Sequence, residues 1–448
     1  MNRILSLLLL ITLSLTAVGP TVRAQDNGAG TVLAADLEPV VAQDWMQLAY
    51  NLVRDNTLSA PEASRVYAYT GIALYEAIVP GMPNNFSMSG GANGMPSMPW
   101  PEEDLTIVSY DWITSANASM ALVLGYLFAD VDDAQPQIEQ LREQYIADRT
   151  DVVGEDAVER SVVFGEQIGS LLAEWIAVDN YEVIKKKESD YVPDNSQPWS
   201  WVYTREGAAV NPYWGELRPF GLNYAEVCQV DLNLEYSTDP DSTFYAQARE
   251  VLDTSDRLSD EQRDIARFWI DTPGLTGAPA GHWVMIGVQV IDRLDLPLSR
   301  AGEMFALLNI ALADSFISAW ALKYTVNLIR PETYIQQNIR RNWNPYLQTP
   351  LFPEYPSGHS VTSAAAARVL TRMFGPVSFT DRTPIINGHE NLQRSFTSFE
   401  QAASEAAISR MYGGIHYRAA IENGLEQGHC VGDQVLDNVL LRSVPQGE

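Results

Sequence analysis

Apolar residues recur at three-to-four spacing along most of this chain and strict apolar–polar alternation is scarce, so helices are the regular elements the pattern supports. The first such stretch covers 41–79, with Trp45, Leu48, Ala49 and Leu52 on one stripe. Further helical patterns fall at about 109–131, 135–149 and 154–180. A second series follows at about 243–254, 259–271, 281–293, 299–323, 358–374, 397–413 and 417–441. Within it, Met304 to Leu322 is the most apolar run. Asn309, Asp314 and Ser315 interrupt that run, which reads as a buried core helix and not a membrane span. Residues 189–243 hold many Pro, Trp, Tyr and Asn residues with little periodicity. The expected fold is all-α: two packed helical bundles, residues 25–190 and 243–448, joined by an irregular connection at 191–242.

Residues 1–24 have the layout of an export signal. Arg3 supplies a positive start, Ile4 to Val18 an apolar run, and Val22-Arg23-Ala24 a cleavage pattern. The expectation is a secreted or periplasmic protein without stable membrane insertion once the leader is removed. A net charge of −28 argues against nucleic acid or anionic membrane as a partner, since both favour a basic face. It also makes any cluster of buried positive charge stand out. The chain has two cysteines, Cys228 and Cys430. They could pair in an oxidising compartment or stay as distant, unreactive thiols, and the sequence leaves both open.

Several common sites are missing. No G-x-x-x-x-G-K loop and no G-x-S-x-G elbow occurs, and the five histidines include no H-E-x-x-H pair. Three short segments remain: Lys323 to Pro331, Pro356-Ser357-Gly358-His359, and Ser409-Arg410 followed by His416. Lys323, Arg330 and Arg410 lie in or beside apolar segments, where unpaired charges are costly to bury. A bound oxyanion would offset that cost, because guanidinium forks and an ammonium suit its oxygens. Gly358 lets its backbone N–H approach a ligand closely. Ser357 offers a hydroxyl, or an N-cap if a helix starts there, and a helix N-terminus itself favours an anion. His359 and His416 suggest one ligand or nucleophile and one acid/base group. Singly, each feature reads as a solvated charge, a capped turn or a structural histidine; it is their combination that carries weight. Gly281-His282-Trp283 could line an entrance, although simple aromatic packing is the favoured reading.

The order K-x6-R-P, then P-S-G-H, then S-R-x5-H resembles the signature of the vanadium-dependent haloperoxidases and the type-2 phosphatidic acid phosphatase superfamily. The resemblance implies that His416 binds vanadium axially, or attacks phosphorus in a phosphatase. Lys323, Arg330 and Arg410 would neutralise the equatorial oxygens, helped by Ser357 and the Gly358 amide. His359 would exchange protons with the axial oxygen or peroxide, and Lys323 would polarise the peroxide. The implied cofactor is vanadate, with phosphate as a substitute, and neither haem nor nucleotide. The implied partners are hydrogen peroxide, halide and a small organic acceptor. Haloperoxidases of this kind often associate, which leaves a homo-oligomer open.

The family pattern continues H-x3-D, but this chain has Ala420 at that place. An aspartate there would fix the histidine tautomer; Ala420 cannot, and Glu422 faces elsewhere on a helix. A backbone carbonyl could orient His416 instead. Ala420→Asp is then expected to tighten vanadate binding, unless another group already orients His416. Phe352 resembles the chloroperoxidase side of the family, and Pro353 and Tyr355 suggest an apolar approach. A soluble exported chain with an added N-terminal helical half looks more like the haloperoxidases than the membrane lipid phosphatases; a secreted acid phosphatase with a histidine nucleophile, although such enzymes are shorter, is the alternative. A non-catalytic phosphate-binding helical protein has only Ala420 in its support.

Overall fold

A computed structural model describes residues 30–386 and 392–442. The export leader expected at 1–24 and His389 lie outside those residues. Six helices make up the first part: α1 (Val40–Asp55), α2 (Ala60–Ile78), α3 (Trp112–Leu127), α4 (Gln135–Val153), α5 (Glu155–Ile176) and α6 (Tyr181–Glu188). Nine follow: α7 (Thr243–Asp256), α8 (Asp260–Phe268), α9 (Ala278–Leu294), α10 (Leu298–Val326), α11 (Pro331–Asn338), α12 (Gly358–Phe374), α13 (Thr383–Ile386), α14 (Phe399–Tyr412) and α15 (Arg418–Asn438). Strand structure among the described residues is confined to one short antiparallel pair, β1 (Phe379–Asp381) and β2 (Arg394–Phe396), with Phe379 opposite Phe396. The fold is all-α.

Local chemistry explains where the helical periodicity breaks. The single pattern at 41–79 divides into α1 and α2. Thr57 adopts a left-handed φ of 55°, and Ser59 forms a capping box with Glu62 just before Pro61. The short helix α11 was not expected from periodicity. Pro331 at its first position presets the helical φ and holds the preceding Arg330 extended.

Helix α10 is the shared core element, packed against α2 on one side and α12 on another. Its 29 residues are long and apolar enough to cross a membrane, but 94% of the apolar window is buried inside the protein, as its internal polar residues foretold. Those polar residues all have partners. Asp314 accepts three backbone N–H bonds, from Phe220, Gly221 and Leu222, at 2.7–2.8 Å. Ser315 meets Thr362 at 2.6 Å, and Asn309 donates to the Tyr67 carbonyl at 3.0 Å. Asp314 therefore clamps the irregular connection onto the core.

Helix α12 packs against α15 and α14 as well as α10. Its crossing with α15 is close because Gly428 has no side chain. A Cβ there would lie 2.2 Å from the Val361 carbonyl oxygen. The connection is tied to α15 by a Cys228–Cys430 disulfide spanning 202 residues, which decides the pairing the sequence left open. In the chain-entropy picture, a loop of that length is worth roughly 5 kcal/mol.

Candidate active site

The three motif segments converge at one end of α10, α12 and α14. Lys323 lies in the last turn of α10, before Asn327 ends that helix in a left-handed conformation. Arg330 is the N-cap of α11, Ser357 the N-cap of α12, and Arg410 lies in the last turn of α14. His416 follows the turn after α14, where Gly414 takes a φ of 77°. A cavity of about 240 Å³ opens against this cluster. Gly358, His359, Arg410, His416 and Phe352 line it, together with apolar side chains such as Val210, Ile270, Phe316 and Trp320. Lys323, Arg330 and Ser357 are fully buried just behind that wall.

His416 is held at both ring nitrogens. Its Nδ1 lies 2.9 Å from Oε1 of Glu354, and its Nε2 lies 3.2 Å from Nη1 of Arg330. Oε1 of Glu354 already accepts the Tyr417 N–H and a guanidinium can only donate, so the proton sits on Nδ1 and the Nε2 lone pair faces Arg330. Burial, then the charges of Arg330, Lys323 and Arg410, holds His416 well below the ordinary histidine range. It is a neutral imidazole of one tautomer.

Glu354 is the residue that the sequence reading missed, and it corrects two expectations. The group orienting His416 is a carboxylate and not a backbone carbonyl. It comes from the loop before α12 and not from the helix after the histidine. The approach between Pro353 and Tyr355 is accordingly not simply apolar. Glu354 is fully buried, and the same Oε1 also accepts from the Tyr417 N–H at 2.8 Å. Burial pushes it up to about 7, against the pull of Arg330. Ala420 serves the site differently, since its carbonyl accepts from the Ser357 N–H at 3.0 Å. An acid sandwiched between proline and tyrosine in an apolar run was the available signal.

The cations surround the same spot. Arg330 donates to the carbonyls of Phe352 and Ile415 at 2.9 Å each, leaving Nη2 buried with no partner. Lys323 donates to the carbonyls of Pro353, Glu354 and Pro356, three acceptors for the three protons of an ammonium. Burial and then Arg330 nonetheless push Lys323 well below the ordinary lysine range. Arg410 donates from Nε to Ser409 at 2.9 Å and from Nη2 to the Trp269 carbonyl. Burial brings Arg330 and Arg410 each down to about 10. The Phe352 ring lies 5.0 Å from the Lys323 nitrogen and 4.8 Å from the Arg330 guanidinium carbon, so it is a platform for both charges.

The start of α12 completes the cradle. The Ser357 hydroxyl accepts from the Ser360 N–H at 3.3 Å and from the Ser360 hydroxyl at 2.9 Å, so its own proton is left to donate. A side chain at Gly358 would come within 3.2 Å of Trp320, so packing and ligand approach both favour glycine. His359 stands one residue further on, with a buried Nε2 that has no hydrogen-bond partner. Burial, then Arg410 and His282, keeps it well below the ordinary histidine range.

The cluster suits an anion. Three buried cations face the Glu354 and Asp271 carboxylates, an Arg330 donor is left over, and a helix N-terminus points the same way. Among the described residues no group of three or more His, Cys, Asp or Glu side chains could hold a metal ion directly. A metal oxyanion bound through one histidine and caged by cations fits this donor set; a metal cation does not. His282 is fully packed, as favoured from the sequence, and does not line the entrance.

Residues 303–442 match the VCPO second helical-bundle domain family. No curated protein matches the chain. Among solved structures it is similar to the first bacterial vanadium-dependent iodoperoxidase, with 34% identity, coverage of 92% of this chain and 99% of that one, and a TM-score of 0.83. An apo-type bacterial vanadium-dependent chloroperoxidase is similar at 15% identity, with 90% and 98% coverage and a TM-score of 0.66. The holo-type bacterial chloroperoxidase gives 16% identity, 93% and 96% coverage and 0.62. At such identities the two chloroperoxidases speak for the fold alone.

Proposed function

The chain belongs to the vanadium-dependent haloperoxidase family, and from that premise we propose that it oxidises halide with hydrogen peroxide at a vanadate held by His416. The observation that carries this reading is the single His416 tautomer, with its unprotonated Nε2 set among buried cations and met by Arg330 alone. Vanadate, when bound, supplies Lewis acidity toward peroxide. The chain's own residues do the rest. Lys323, Arg330 and Arg410 balance the oxyanion charge. The Ser357 hydroxyl and the Gly358 amide donate to it. His359, with its unpartnered Nε2, takes up and returns a proton at the cavity wall. Phe352 and the apolar lining keep water away from the oxidised halogen. Export to an oxidising compartment belongs to the same proposal and is supported by the Cys228–Cys430 bond.

The test is halide-dependent, peroxide-dependent oxidation of a phenol-red-type dye by apo protein with and without added vanadate. Iodide, bromide and chloride are compared, with iodide first because of the similarity to the iodoperoxidase. Vanadate-dependent oxidation supports the reading. Hydrolysis of phosphate esters without halide oxidation would replace it with the histidine phosphatase of the same superfamily.

A further inference from the structure

A second buried polar cluster abuts the site. Asp271 follows α8, lines the cavity, and adopts a left-handed φ of 41°, an unfavourable conformation for a residue with a side chain. Nδ1 of His282, on α9, lies 3.0 Å from both Asp271 oxygens. Its Nε2 lies 2.7 Å from Oδ2 of Asp381, at the end of β1. All three residues are buried. Burial works against a charged imidazole here, but the two aspartates outweigh it and push His282 up to about 10. Both ring N–H groups therefore donate, one to each carboxylate. The ring also stacks on Trp269 at 4.4 Å, whose carbonyl accepts from Arg410.

The far side of Asp271 meets the active site. Its Oδ2 lies 3.9 Å from the unpartnered Nε2 of His359. That is too long for a hydrogen bond and within ion-pair range once His359 carries a proton. The other charged groups acting on His359 are Arg410 from α14, Lys323 from α10 and His282 itself. A carboxylate beside Arg410 and free to rotate would turn toward that guanidinium. Gripped through both oxygens by a rigid imidazolium, it cannot.

We propose that His282, clamped between Asp381 and Asp271, is a positioning residue that fixes the Asp271 carboxylate against His359. The inference rests on His359 being the proton-exchanging group. An imidazolium suits the task because its two N–H groups point apart in one plane, so it can bridge two separated buried carboxylates. An amide in its place holds only one of them.

The experiment uses the full chain with vanadate, comparing His282→Gln, Asp381→Ala and Asp381→Asn. For His282→Gln and Asp381→Ala, kcat for halide oxidation falls about 10–100-fold, as for other outer partners of a reactive group, while vanadate affinity and halide KM stay within about threefold. Asp381→Asn recovers most of the loss, because the new amide still hydrogen-bonds Nε2 of His282. The Trp269 backbone already holds the other ring nitrogen of His359 as a donor, so the readout in the apo protein is a pH titration of the His359 15N ring signals. Its midpoint moves to lower pH in His282→Gln as the Asp271 ion pair to a protonated Nε2 is lost. A folded, vanadate-binding His282→Gln protein with unchanged kcat and unchanged His359 signals overturns the proposal. If that variant does not fold, the two Asp381 variants and their ring signals decide. If the unaltered protein oxidises no halide, the haloperoxidase reading fails, while the ring signals still judge this one.

Discussion

Glu354→Gln separates the charge of the carboxyl behind His416 from its shape. Oε1 of Glu354 takes both hydrogen bonds, from His416 and Tyr417, while Oε2 is buried without a partner. Glutamine can keep its oxygen in the first place and put its amide in the second, so the contacts survive and the charge is lost. Burial has raised this carboxyl from 4.5 to about 7, net of attraction to Arg330 and Lys323. At about 1.4 kcal/mol per pKa unit, the ionised form costs the apo protein on the order of 3 kcal/mol. The sign follows from proton counting. Between pH 4.5 and about 7 the folded state holds a proton that the unfolded state has released, so stability falls as pH rises through that window. Above it, the full cost is present. Denaturant unfolding of the apo protein at several pH values should show a Glu354→Gln advantage. That advantage grows from its value below pH 4.5 by roughly 3 kcal/mol at pH 8. Parallel stability curves for the two proteins would refute the reasoning, since Glu354 would then not be a strained, ionisable group in the fold. The cost makes sense if the carboxylate is kept for His416, because sites commonly trade stability for function.

His416→Ala should abolish vanadate binding in a titration, whereas His359→Ala should keep binding and lose turnover; unchanged behaviour in both removes the site assignment. Ala420→Asp should not tighten vanadate binding, because Glu354 already occupies Nδ1 of His416. It should instead destabilise the fold by roughly 1–3 kcal/mol, the cost of an unpaired buried polar group, read by denaturant unfolding. Gly428→Ala would set a Cβ 2.2 Å from the Val361 carbonyl and 2.7 Å from the Ala364 side chain. Forcing α15 off α12 should cost roughly 1–3 kcal/mol in the same measurement.

Much of the fold and the anion cage was legible in the linear pattern. Buried helices carry a three-to-four apolar repeat, and α10 and α12 appear nearly where the repeat puts them. Lys323, Arg330, Arg410, His359 and His416 stood out because cations and imidazoles in apolar surroundings need a reason. Glu354, Asp271 and the His282 cluster were not legible as parts of the site. Each is a single polar residue in a loop or on a helix, with partners 11 to 99 positions away.

The amino-acid order alone set the helical class, the buried character of α10 and the identity of the anion-binding side chains. These depend on local propensity and on spacing along the chain. Which nitrogen of His416 carries its proton, what replaces the absent aspartate, whether the cysteines join and what Asp271 faces were decided only by the folded structure. Hydrogen bonds and charge pairs act over a few ångströms in space, and separation along the backbone does not encode that distance.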